Sequence, residues 1–267
     1  MYIFTSFICQ NAFSRGSTTR PRILALTLPL ALLWACLPGA ARAATTATMS
    51  AAFAPDRLGA ATTVSFNFQI AAGERAPDLL TGIDFRYPAN LGIATSGLGV
   101  ASCPVAELEA HGPSACPPDS RMGFGSALVE IPIGPEIVRE TAQLALIAGP
   151  SQDGYVQILI SATGESPVAA RIVLSTQLEP GDLQIAVPPI PSLPEAPYVA
   201  LVRMHFTLGG NLTYYERVHG RNVAYHPVGV GLPRSCPSGG FPFAASFAFL
   251  DGGHAQAQTA VACPRGR

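Results

Sequence analysis

Apolar and polar residues alternate along most of the chain, which is the pattern of half-buried β-strands. In TTVSFNFQI every second residue from Val64 to Ile70 is large and apolar, and TGIDFRY repeats the pattern from Ile83 to Tyr87. Further predicted strands cover residues 124–132, 139–148, 154–162, 168–175 and 182–187. Short strands separated by turn residues are typical of packed antiparallel sheets. We therefore predict an all-β fold, an antiparallel β sandwich.

The alternation is strongest near the carboxy terminus. YVALVRMHFTL is predicted to present every second residue from Val202 to Leu208 on one face, and FPFAASFAF presents four phenylalanines in the same way. Asp251-Gly252 supplies the positive φ that a tight hairpin needs. A hairpin that closes there brings Cys263 near Cys236, so we expect these two cysteines to be bonded.

The segment PPIPSLPEAP, residues 188–197, interrupts the strands with five prolines in ten positions. Prolines remove backbone donors and favour an extended conformation. The segment is either a linker that divides residues 44–267 into two domains or a crossover within one domain. We favour the crossover, because four or five strands after it are too few to bury a core of their own easily.

The stretch SCPVAELEAHGPSACP, residues 102–117, predicts one short helix near residues 104–111 that is bracketed by Cys103 and Cys116. Pro104 suits the first position of a helix, and Gly112-Pro113 ends it. A redox motif would separate its cysteines by two residues, and a zinc site would need further ligands at similar spacing. We therefore predict a structural disulfide, Cys103–Cys116, although the other two connectivities of four cysteines stay open.

The amino terminus has the features of a signal peptide. Basic residues precede the apolar run ILALTLPLALLWAC, and Ala41-Arg42-Ala43 forms an A-x-A cleavage site. The prediction is that residues 1–43 are removed and that residues 44–267 form a secreted, extracellular protein without a membrane span. The alternative is a lipid anchor at Cys36, since LLWAC also resembles a weak lipobox.

Removal of the leader makes the protein acidic. Four of the 16 basic residues and none of the 17 acidic residues lie before residue 44, which leaves 12 basic against 17 acidic residues and a net charge of −5. Nucleic acid is excluded as a partner on this ground, because binding of phosphates requires a basic face.

The cysteine segments also carry a resemblance. GLGVASCPVAEL and ACPPDSRMGFGSA, followed by RSCPSGGFPFAASFAFLDGG and TAVACPRGR, resemble a group of uncharacterised exported β-rich proteins of high-GC actinobacteria. In that group a Cys-Pro pair follows an amino-terminal strand region, and a Cys-Pro, a Phe-rich strand, an Asp-Gly turn and a final cysteine close the chain. The resemblance implies an extracellular β sandwich and assigns no activity.

Local motifs of catalysis are absent from the sequence: it has no HExxH, no G-x-S-x-G, no phosphate loop and no calcium loop. We accordingly expect no cofactor and no metal. Polar and aromatic residues crowd together in NLTYYERVHGRNVAYHP, which predicts a hairpin that turns near Gly220. The candidate ligand-binding residues there are Tyr214, Tyr215, Glu216, His219, Arg221, Tyr225 and His226.

Tyrosine and arginine can stack on sugars and donate hydrogen bonds, and the histidines with Glu216 include metal-ligand types. An ordinary hairpin with tyrosines paired across its strands is the simpler interpretation. The sequence favours a non-enzymatic binding or structural module whose partner is a cell-envelope or extracellular glycan or protein. The alternative is a secreted hydrolase acting on a cell-wall or environmental polymer.

Overall fold

The structure is a computed structural model that describes residues 44–73, 76–93, 101–151, 157–190, 198–209, 213–225 and 229–264. Several predictions fall outside these ranges. They concern the leader with its cleavage site and Cys36, residues 191–197 of the proline-rich segment, and His226.

Within the described ranges, strands dominate, as the alternation predicts. The strands are β1 (Thr46–Ala54), β2 (Ala61–Ala71), β3 (Leu80–Arg86), β4 (Gly92–Ile93), β5 (Arg121–Ile133), β6 (Glu136–Ala148), β7 (Ile158–Gly164), β8 (Ala170–Glu179), β9 (Asp182–Ala186), β10 (Ala200–Gly209), β11 (Tyr214–Val218), β12 (Arg221–Tyr225), β13 (Val230–Gly231), β14 (Phe241–Phe249) and β15 (His254–Val261). One α-helix, α1 (Val105–His111), is followed by two 3₁₀ turns, Pro113–Ala115 and Pro118–Ser120.

Thirteen of these strands form one antiparallel sheet. Its order is β15-β14-β3-β9-β8-β7-β6-β5-β10-β2-β13-β4, and β1 also pairs with β2. The sheet curves until β1 lies against β15, although no hydrogen-bonded ladder joins them in the described part of the chain. The sheet is therefore nearly barrel-shaped. The all-β antiparallel prediction is confirmed, but the predicted sandwich of two packed sheets is not.

The interior of the curved sheet holds the hydrophobic core, and phenylalanines fill one side of it. Phe66 packs against Phe85, Phe206 and Phe243 with ring centroids 4.8, 5.1 and 5.2 Å apart. The phenylalanines of β14 face this core as predicted, and Phe241 and Phe247 have no exposed surface. Aromatic pairs at these separations add stability beyond the area that they bury.

Strand β10 departs from its predicted alternation at Val202. A β-bulge between Leu201 and Arg203 inserts one residue into the pairing of β10 with β5. Because a bulge shifts the alternation by one position, Leu201 is buried and Val202 is only half-buried. The expected interior position of Val202 is therefore wrong, whereas Met204 and Leu208 are buried as expected.

The proline-rich segment connects strands of the same sheet. β9 precedes it, and β10, which follows it, lies between β5 and β2. Residues 42–267 form one compact unit.

Helix α1 and its disulfide cover part of the outer face of the sheet. The bond between Cys103 and Cys116 is present, and both cysteines pack with Leu108 against Ile147 and Leu159. The helix begins at Val105, because Pro104 has an extended backbone and serves as the N-cap. The predicted bracketed helix is thus confirmed, and it forms a small second core on the outside of the sheet.

The second disulfide joins Cys236, before β14, to Cys263, after β15. The hairpin between these strands pairs Phe241 with Val261, so the two cysteines lie just beyond the paired ends. Two disulfides are typical of proteins in an oxidising compartment.

Tyr87 anchors the turn between β8 and β9. Its hydroxyl donates a hydrogen bond to the carbonyl oxygen of Glu179 at 2.6 Å. Burial raises the pKa of the Tyr87 hydroxyl above its ordinary value of 10.0; a backbone hydrogen bond with Gly181 opposes this shift in part, and the nearby charge of Asp182 adds to it.

Candidate functional site

A cavity of 90 Å³ lies inside the curved sheet, opposite the phenylalanine cluster. Its walls are aliphatic side chains from β3, β5, β6, β7, β8 and β10, together with Ile190 of the proline-rich segment and Val199 just after that segment. Glu140 is the one ionisable residue in this wall as the described residues define it. The cavity is therefore an apolar space with a single carboxylate.

Small residues on neighbouring strands create this space. Ala127 of β5 lies opposite Ala142 of β6, and Gly164 of β7 lies opposite Ala170 of β8. All four line the cavity. Because residues that face each other across paired strands share one face of the sheet, their short side chains leave adjacent gaps where larger ones would meet. A second space, among Phe66, Phe85 and Phe243, has only 40 Å³.

Glu140 occupies an interior position on β6, in phase with Ala142, Leu144 and Leu146. Only 3% of its surface is exposed. Its Oε2 accepts a hydrogen bond from the backbone N–H of Val168 at 3.2 Å, whereas Oε1 has no hydrogen-bond partner among the described residues. A buried carboxylate oxygen without a donor is unusual, because burial removes its hydration and nothing replaces it.

Glu130, on the outer face of β5, provides the contrast. It is also buried, at 6% exposure, but Arg139 of β6 donates hydrogen bonds to its Oε1 from Nε at 3.0 Å and from Nη2. The two glutamates lie on adjacent strands and face opposite sides of the sheet. One carboxylate is thus paired with a cation, and the one inside is not.

The predicted hairpin is present as β11 and β12, a separate two-stranded sheet with its turn at His219-Gly220. Both turn residues have positive φ, 49° and 80°, which is the requirement of a two-residue hairpin turn. β11 lies beside the 3₁₀ turn Pro118–Ser120. The hairpin is therefore an appendage of the main sheet.

The register of the hairpin divides the predicted ligand residues between its two faces. Tyr214 lies opposite Tyr225, and Val218 lies opposite Arg221, with Glu216 between them on the same face. Tyr215 lies opposite Ala224 on the other face. His219 is at the tip of the turn and is exposed. By register, Tyr214, Glu216, Arg221 and Tyr225 thus hold positions on one face of the hairpin, and Tyr215 holds a position on the other.

Exposed apolar surface accompanies these residues. Tyr215 is 66% exposed and Val223 is 48% exposed, on opposite faces. Large apolar side chains that stand free on a projecting hairpin suit contact with another molecule.

The outer face of β3, β14 and β15 carries a shallow polar depression of 330 Å³. Small residues such as Ser246 form its floor, and the longer side chains of Asp84, Arg86, Gln256 and Gln258 form its sides. These are the residue types of an ordinary solvent-facing sheet.

The described ranges contain neither a metal-binding cluster nor a membrane-spanning helix. No group of three histidine, cysteine or acidic side chains there could hold a metal ion. The helices of the same ranges include none with the length and apolarity that a membrane crossing requires.

Comparison of the chain with protein-family models, with curated proteins and with solved structures gives no match.

Sequence reasoning missed Glu140 and the cavity, although one signal pointed to both. In RETAQLALIA the alternation that places Leu144 and Leu146 inside also places Glu140 inside. An ionisable residue in phase with interior positions is a candidate functional group. The spacing of small residues across four strands had no such signal, because it depends on the pairing register.

Proposed function

We propose that this protein is an exported, non-enzymatic binding module whose interior cavity accepts the apolar part of a small ligand. The observation that carries the proposal is the 90 Å³ apolar cavity with one inward-facing carboxylate. An apolar space with a few polar groups is the usual form of a small-molecule site.

The size of the cavity sets the size of the group that it takes. An engineered apolar cavity of about 150 Å³ holds benzene. A cavity of 90 Å³ therefore suits a group smaller than benzene, such as a short alkyl chain. Ala127, Ala142 and Ala170 would contact such a chain.

Export is the second part of the proposal. It rests on the signal-peptide features of residues 1–43 and agrees with the two disulfides, which belong to oxidising compartments. The resemblance to exported actinobacterial Cys-Pro proteins belongs to the same proposal.

A series of straight-chain alcohols from propanol to hexanol tests the cavity. Methyl NMR of the purified protein should show saturable shifts at residues such as Leu144 and Met204. Each added methylene contributes about 0.8 kcal/mol, or roughly fourfold in affinity, until the cavity is full. Shifts confined to surface residues, or an affinity that is independent of chain length, would refute the proposal.

Two variants test whether the alcohols bind in the cavity. Ala142→Val narrows the cavity and should weaken binding at least fivefold. Ala186→Val is the matched control, because Ala186 lies exposed on the outer face of β9. It should leave the affinity unchanged, and equal effects of the two variants would place the site elsewhere.

The β11–β12 hairpin is a second candidate surface, for a glycan or a protein, and the exposure of Tyr215 supports it. The rival hypothesis of a secreted hydrolase needs a serine, a histidine and a carboxylate in contact. Of the described histidines, His205 bonds to Asn67, His111 pairs with Glu107 on the surface, and His219 and His254 are exposed. The binding module has the stronger structural support.

A further inference from the structure

We propose that Glu140 makes the interior cavity selective for ligands with a positively charged, hydrogen-bond-donating head, such as a primary ammonium, on a short apolar body. This inference rests on the proposed function and names the chemical class of its ligand. It concerns an interior site, independent of the hairpin.

The first argument is the unmatched carboxylate. Glu140 is 97% buried, and the part of the chain that the structure describes offers its Oε1 no hydrogen-bond donor. A buried charge is tolerated when a partner of opposite charge and donated hydrogen bonds replace its hydration. The N–H of Val168 satisfies only Oε2. A ligand ammonium supplies both the positive charge and the missing donors.

The second argument is the contrast with Glu130. That carboxylate is nearly as buried, and Arg139 supplies it with a cation from the next strand. On the cavity side of β5 and β6, the other residues of the cavity wall are aliphatic. The chain thus neutralises one buried glutamate and leaves the other, at the cavity, for an external cation.

The third argument is the position of Glu140 along the cavity. The β5–β6 hairpin continues past it to Glu136 and Ile137, which are exposed. Below Glu140, the interior positions of β6 are Ala142, Leu144 and Leu146, and all three are buried. A ligand with its head at Glu140 therefore lays its apolar body against the small-residue row, which consists of Ala127, Ala142, Gly164 and Ala170.

Gly164 holds the carboxylate in this position. A Cβ atom at Gly164 would meet Oε1 of Glu140 first, and it would lie 2.8 Å from Cδ of Glu140 and 2.9 Å from the carbonyl oxygen of Val168. Both separations are too short for ordinary contact, so the missing side chain provides the room that the carboxylate occupies. Gly164 and Val168 both line the cavity, so the carboxylate that they hold lies in the cavity wall, with Oε1 packed against Gly164.

The test compares two probes of equal length, n-butylammonium and 1-butanol, by NMR titration of the purified protein. The expected result is at least tenfold tighter binding of n-butylammonium. Glu140→Gln keeps the shape and the acceptor for Val168, and it should abolish the preference while 1-butanol still binds. Glu130→Gln is the matched control and should retain the preference.

The outcomes separate the two proposals. If 1-butanol binds in the cavity and n-butylammonium binds no tighter, or if the preference survives Glu140→Gln, this inference is overturned and the proposed function stands. If neither probe binds, both this inference and the proposed function are refuted. If the Glu140→Gln variant does not fold, a measurement on the unaltered protein still tests the inference. The carboxyl ¹³C resonance of Glu140, and not that of Glu130, should move on addition of n-butylammonium.

Discussion

Filling the cavity should stabilise the protein, and Ala142→Val is the substitution that tests this. Ala142 is buried at 8% exposure and lies in the small-residue row between Ala127 and Gly164. Valine adds two methyl groups at this position and suits a strand. The interior therefore gains contacts without a change in strand pairing.

The magnitude follows from the volume. Empty space inside a protein costs about 24 cal/mol per Å³, so the 90 Å³ cavity corresponds to about 2 kcal/mol in total. Two buried methyl groups contribute at most about 1.6 kcal/mol. Some strain offsets this gain, because an inserted side chain rarely fits without adjustment. The expected increase in the free energy of unfolding is about 1 kcal/mol.

Urea unfolding followed by circular dichroism measures this quantity. The m-value should stay constant, so that the shift in midpoint reports stability alone. The exposed Ala186→Val control should change the free energy of unfolding by less than about 0.5 kcal/mol. A loss of 1 kcal/mol or more in Ala142→Val, with the control unchanged, would show that the row of small residues is needed for close packing and leaves no usable space.

Three further predictions concern other parts of the molecule. Replacing both Cys103 and Cys116 by alanine should lower the free energy of unfolding by about 3 kcal/mol, because the bond between residues 13 apart removes loop-closure entropy from the unfolded chain; a loss below about 1 kcal/mol in urea unfolding would contradict this. The difference in free energy of unfolding between the wild type and Tyr87→Phe should be constant below pH 10.0 and shrink above it. The pKa of the Tyr87 hydroxyl is raised in the folded state, so its stabilising contribution is lost as the pH rises through the folded-state pKa. A difference that grows at high pH would contradict this prediction. In a glycan and cell-envelope protein pull-down, Tyr215→Ala should reduce retention, and Leu250→Ala, which removes a similarly exposed side chain at the β14–β15 turn, should not.

Strands with large apolar residues at every second position could be predicted from the sequence. β2, β3 and β14 are of this kind, and their phenylalanines occupy the predicted face. β1 was missed, because its interior positions include only small or flexible residues before Phe53. A period of two identifies a strand only when the two faces differ clearly in hydrophobicity.

The arrangement of the strands could not be predicted in the same way. Alternation shows which side chains are buried, but it does not show whether they meet those of a second sheet or those across one curved sheet. Local irregularities are hidden as well, since the bulge at Val202 depends on pairing with β5. The predicted hairpin had its turn in the expected place, while the division of Tyr214 and Tyr215 between faces followed only from the register.

The meeting of β1 and β15 has a consequence for how the chain folds. These are the first and last of the described strands, and about 200 residues separate them in sequence, so closing their contact costs more loop-closure entropy than any other pairing of the described strands. The adjacent hairpins β5–β6, β7–β8 and β14–β15 join residues that are close in sequence and can form early. Because a chain is synthesised from its amino terminus, β1 can pair with β2 early but cannot meet β15 until that strand has been made. We therefore expect the seam between β1 and β15 to form late, and the interior of the sheet to become enclosed only when β15 is in place.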